Sequence, residues 1–73
     1  MADITITGHG SYNVESQTEE GAAWLWSNVS EAESLGDGAV GAYIDGTRYA
    51  QDIADSAVEE GLAVICNGVL YEA

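Results

Sequence analysis

Hydrophobic and polar residues alternate strictly at the start of the chain. Ile4, Ile6, Tyr12 and Val14 are apolar at even positions, with Thr5, Thr7, Ser11 and Asn13 between them. A period of two marks a strand with one buried face. Gly8-His9-Gly10 interrupts it, which fits either a tight hairpin or a bulge in one long strand.

The period then becomes that of a helix. Ser16 and Thr18 precede Glu19 and Glu20: hydroxyls that cap free amides, then acids suited to the positive end of a helix dipole. The pattern predicts a helix over about residues 18–35, with Ala22, Leu25, Trp26, Val29 and Ala32 inward and Gly36 as its stop. Trp24, Asn28 and Glu31 fall on another face. Gly36-Asp37-Gly38 leads to a strand over 39–44, Asp45-Gly46 reads as a two-residue hairpin, and Thr47, Arg48 and Tyr49 as a short return strand. From residue 49 or 50 to 60, Ile53, Ala54, Ala57 and Val58 on one side predict a second amphipathic helix, ended by Gly61. Residues 62–66 and 69–71 flank Asn67-Gly68, another strong hairpin turn, and the apolar run before it predicts a central strand. The expected order is ββ-α-ββ-α-ββ. The fold class is α+β, with two helices packed on one face of a mainly antiparallel sheet.

At 73 residues the chain has room for one domain, 1–73, with a thin core. No apolar run approaches the ~18 residues of a membrane span. Met1, Ala2 and Asp3 lack the basic-then-apolar layout of a signal peptide, so a soluble cytoplasmic protein is expected. In that compartment Asn28-Val29-Ser30, a formal glycosylation sequon, is silent.

Charge changes the picture most. Thirteen acids stand against one Arg and no Lys, a net charge of −12. Direct contact with nucleic acid phosphates or an anionic membrane needs clustered cations, and Arg48 is alone. The acids are interleaved with apolar residues instead of forming one block, so the charge belongs to a folded surface and not to a disordered tail.

Candidate chemistry is sparse. Cys66 ends an apolar strand, where a small buried hydrophobe is the ordinary role, and His9 sits between glycines in a turn; neither has a basic neighbour in sequence to activate it. Calcium, zinc and iron-sulfur ligand patterns are missing, as is a phosphate-cradling glycine loop. No cofactor and no catalytic residue is therefore expected. Trp24 and Trp26 diverge by about 200° on a helix, so only one can face the core fully. Either Trp26 packs inside with Trp24 at the sheet edge, or one indole, Trp24 among the candidates, anchors a protein interface.

The sharpest feature is a row of acids. Asp52, Asp55 and Glu59 fall at i, i+3 and i+7 with Glu60 adjacent, which puts successive charges roughly 5–6 Å apart along the helix. Glu19, Glu20, Glu31 and Glu33 are expected to load the outer side of the first helix as a second row. An ordinary surface mixes both signs. The missing lysines leave three readings: mimicry of nucleic acid, adaptation to concentrated salt, or an acidic adaptor that binds through an exposed Trp.

In size, acidity and lack of catalytic residues the chain resembles the small inhibitors that phages and plasmids direct against host defence, anti-CRISPR and antirestriction DNA mimics above all. That resemblance implies as partner a basic nucleic-acid-binding protein, such as a CRISPR effector complex, and carries over no functional residue. The protein is expected to be a monomer, and the spacing of the acids and of the indoles makes the two acidic rows and Trp24 its expected contacts.

Overall fold

The alternating N-terminal segment folds back on itself. In the computed structural model, which describes residues 2–72, β1 (Ile4–His9) and β2 (Ser11–Ser16) pair antiparallel, with Ile6 opposite Val14 and His9 opposite Ser11. Met1 and Ala73, the ends of the expected domain, lie outside the described residues. The hairpin, not the bulge, is the outcome. Gly8 and Gly10 flank His9 with φ of 133° and 78°, conformations that side chains with a Cβ resist.

Helix α1 (Glu19–Asn28) starts where the capping pattern places it, with the Thr18 hydroxyl accepting the Gly21 N–H. It ends seven residues before position 35, the expected end. The Asn28 amide donates to the Trp24 carbonyl, and β-branched Val29 leaves the helix at φ −121°. Residues 33–36 instead form an edge strand, β3 (Glu33–Gly36). Strand pairing wins because the inward stripe fades after Val29, so a longer helix would bury little, whereas β3 gains a ladder with β4 (Ala39–Asp45).

The central hairpin is therefore built on a different turn from the one expected. Asp37 and Gly38, with φ of 52° and 81°, make the two-residue turn between β3 and β4. Asp45-Gly46 makes none: Gly46 is the N-cap of α2 (Thr47–Glu59), and Thr47, Arg48 and Tyr49 are its first turn, not a return strand. A hydrogen bond of 3.1 Å between the Tyr12 and Thr47 hydroxyls fixes that turn against β2. The last two strands, β5 (Val64–Cys66) and β6 (Val69–Tyr71), turn at Asn67-Gly68 as expected.

The six strands lie in the order β3-β4-β2-β1-β5-β6, and all pairs are antiparallel except β1 with β5. β5 is an inner strand, between β1 and the β6 edge. Both helices cover one face, α1 over β2 and β4, α2 over β2, β4 and β5. The core between the layers is made of Ile4, Ile6, Val14, Leu25, Val40, Ile44, Ile53, Ala57 and Val64 with smaller neighbours. Among the described residues the other face, with Thr5, Asn13, Glu15 and Tyr43, carries no helix. Thus the element order and fold class match those expected from the pattern.

One carboxylate holds three elements together. Asp3 accepts the Thr18 hydroxyl through Oδ1 at 2.7 Å and the Ala63 N–H through Oδ2 at 3.0 Å, joining the start of β1 to the cap of α1 and the loop before β5. The Ala63 N–H first, then Thr18, hold its carboxyl below the usual carboxylate range. Asp3→Ala is expected to cost about 2 kcal/mol at neutral pH, because a part-buried N–H and a hydroxyl lose a charged acceptor. A depressed folded pKa contributes stability above the unfolded value and loses it as pH falls through the folded one. In urea titrations the gap between wild type and variant should therefore be full at pH 7 and shrink below about pH 4. A gap constant with pH would remove the charge from this account.

Candidate partner-binding surface

Helix α2 carries its core residues, Ala50, Ile53, Ala54 and Ala57, along one stripe. At 100° per residue, Asp52, Asp55 and Glu59 fall within about 60° of one another and centre on the line opposite that stripe. All three are exposed, as is Glu60 at the C-cap. The row is thus a ridge along the outermost line of the helical layer.

Grooves flank the ridge on both sides. Toward α1, Trp24 and Asn28 face Asp52, Ser56, Glu59 and Glu60. Toward the sheet edge, Val58, Leu70 and Tyr71 are bordered by Asp55, Glu59 and Glu72. Glu59 belongs to both. The structure therefore brings Asp52, Glu59, Glu60 and Trp24 together and turns Asp55 to the other side, so that each groove has an aromatic wall and an acidic border.

The second row does not exist as a row. Glu19 and Glu20 sit in the first turn of α1, where they favour the helix dipole, and Glu19 borders a shallow depression with Asp37. Glu31 lies in the loop after α1, and Glu33 is in β3 opposite Gly41. The short helix is the cause: both residues lie past its end. Glu31 is also engaged, accepting the Tyr49 hydroxyl at 2.7 Å. That bond is the first cause of the lowered Glu31 carboxyl and of the raised Tyr49 phenol. It ties the loop after α1 to the first turns of α2.

The two indoles exchange the places expected for them. Both lie about 100° from Leu25 around α1, so the helix alone does not choose between them. Trp24 faces α2, is half-buried and packs against the core, with its Nε1 buried and unpartnered in the structure. Trp26, on the opposite flank, is 56% exposed. Trp24 remains a groove wall but is not the free indole.

Sequence reasoning missed the aromatic and aliphatic side chains of the last strand. Val69, Leu70 and Tyr71 are about half exposed. Their shortness as a strand after Asn67-Gly68 was the available signal, because a three-residue strand at a sheet edge has too little cover for its side chains.

Cys66 is a free, part-buried thiol that packs against the core and lines a cavity of about 170 Å³ with Tyr12, Ala54 and Tyr71. His9 is exposed at the tip of the first hairpin. Among the described residues no three His, Cys, Asp or Glu side chains gather where they would hold a metal ion, and no helix is long and apolar enough to cross a membrane. No protein-family model, curated protein or solved structure matches the chain.

Proposed function

We propose that this chain is a non-enzymatic inhibitor that presents the α2 ridge, as a substitute for nucleic acid, to the basic groove of a nucleic-acid-binding protein, in the manner of anti-CRISPR and antirestriction mimics. The observation that carries the reading is the position of the acids. Glu59 and Glu60 stand at the C-terminal end of α2, where the helix dipole disfavours negative charge, and no base is in the last turn. Acids kept where they destabilise their own helix, on the line farthest from the core, fit selection for an external partner. Charge of −12 also opposes self-association, which supports a monomer; a mimic of this kind would meet its partner inside the host cell.

The test is capture. Immobilised protein in low-salt lysate of a bacterial host should retain a basic protein that is released by duplex DNA or RNA and by raising salt to several tenths molar. Retention that ignores both competitors would overturn the mimic reading. It would favour the adaptor reading instead, for which the uncovered indole of Trp26 is the supporting observation. Cooperative unfolding of the isolated chain below molar salt would favour adaptation to concentrated salt.

A further inference from the structure

The two edges of the sheet are finished differently. On β3 the register shifts between Ser34 and Gly36, a bulge of the kind that spoils an edge for further pairing. On β6 the register with β5 is regular from Val69 to Tyr71, and the strand has no Pro, no bulge and no charged side chain within it. Its three residues are 54%, 53% and 48% exposed: Val69 and Tyr71, opposite Cys66 and Val64, stand on the helical face, and Leu70, opposite Ile65, on the other. In the ladder closed by the Asn67-Gly68 turn, Val69 and Tyr71 pair toward β5, so the backbone of Leu70 points outward.

Resting on the mimic reading, we propose that β6 is a docking edge where an extended segment of the basic partner adds as a seventh strand, with Lys or Arg at alternate positions. Charge selects that occupant. Side chains of the added strand that point toward the helical layer would enter the groove of Val58 and Tyr71, where Asp55, Glu59 and Glu72 form the border. Basic side chains suit it, since their stems cover the apolar floor while their heads reach the acids. A second copy of this chain would bring another −12 to the same border and is repelled. The side chains pointing the other way would lie beside Leu70, which favours a β-branched residue between the cations.

The probe is a synthetic peptide of alternating Lys and Val, compared with the same peptide N-methylated at every second residue to remove the pairing N–H groups. With the folded 73-residue protein, the parent peptide should slow amide exchange at Leu70 at least tenfold and shift the β6 resonances. The methylated peptide should bind at least tenfold more weakly. Asp55→Lys with Glu59→Lys should weaken the parent peptide by a similar factor. Equal binding of the two peptides would overturn strand addition while leaving a charged ridge intact, and so would shifts confined to the Trp24 groove. No binding of the parent peptide, or concentration-dependent dimers occupying β6, would overturn the proposal outright. DNA-competable capture is a separate readout, so failure of the edge and failure of the mimic reading are distinguishable.

Discussion

Gly21→Ala should destabilise the protein by about 2–4 kcal/mol, although alanine is the better helix former by roughly 1 kcal/mol. Gly21 lies in the first turn of α1 with ordinary helical geometry, so conformational freedom is not why it is there. A Cβ at this position would collide with the carbonyl oxygen of Asp3 and press on Ile4 Cγ1 at 3.3 Å. The obstacle is backbone, which does not rotate away. Relief means lifting α1 from the start of β1, which breaks the Asp3 clasp and opens the layer at Ile4 and Leu25, both fully buried. A domain of this size has a total stability of roughly 4–11 kcal/mol, before the loss from self-repulsion. Gly21→Val should accordingly leave little folded protein at 25 °C. Urea titration followed by circular dichroism measures the sign directly, with Ala23→Gly on the exposed face as the control for propensity alone. A stabilised Gly21→Ala would show that the close approach of α1 and β1 is absent.

Reversing Glu59 and Glu60 should move binding and stability in opposite directions. In Glu59→Lys with Glu60→Lys the net charge rises from −12 to −8, and two cations replace anions at the negative end of α2. The gain is on the order of 1 kcal/mol, or about 4–8 °C in Tm for a domain of this length. For a basic partner the same change places like charges opposite one another, which lowers association rate and affinity. A loss of about a hundredfold is expected, read by calorimetry or surface plasmon resonance at low salt against the captured protein. Unchanged affinity in a more stable variant would remove this end of the ridge from the interface. A variant that loses both would mean that the acids serve the fold, contrary to their exposure.

The sequence pattern identified the buried face of the first two strands, though not whether they form a hairpin or one bulged strand, together with the second helix and the last turn, because in each the local signal and the tertiary need agree. Ile4, Ile6, Tyr12 and Val14 are all buried on one face of the sheet, as their spacing requires. Agreement fails in the middle of the chain, where two Asp-Gly dipeptides compete for one turn. Asp37-Gly38 takes it because the residues on each side can pair as strands, and Asp45-Gly46 is left to open a helix. The acidic row on α2 was legible because one amphipathic helix orients all its members. The supposed row on α1 was not, since Glu31 and Glu33 owe their positions to where the helix stops. Which indole is covered depends on the side on which α2 lies, a fact carried by chain topology and not by the spacing of Trp24 and Trp26.

The parallel pairing of β1 with β5 has a consequence for how the molecule forms. Asp3 meets Ala63 across 60 residues, and Gly8 meets Asn67 across 59, so the first strand is enclosed only when the last quarter of the chain arrives. Contacts of such long range make folding slow relative to a helical domain of equal length, since the loop must close before the contacts reward it. Until then β1 has one neighbour, β2, and its other edge is bare. During synthesis on the ribosome, the nascent chain therefore presents a growing negative charge together with an unpaired strand edge. The charge, ascribed above to a partner, would at that stage also keep one incomplete chain from pairing with the next.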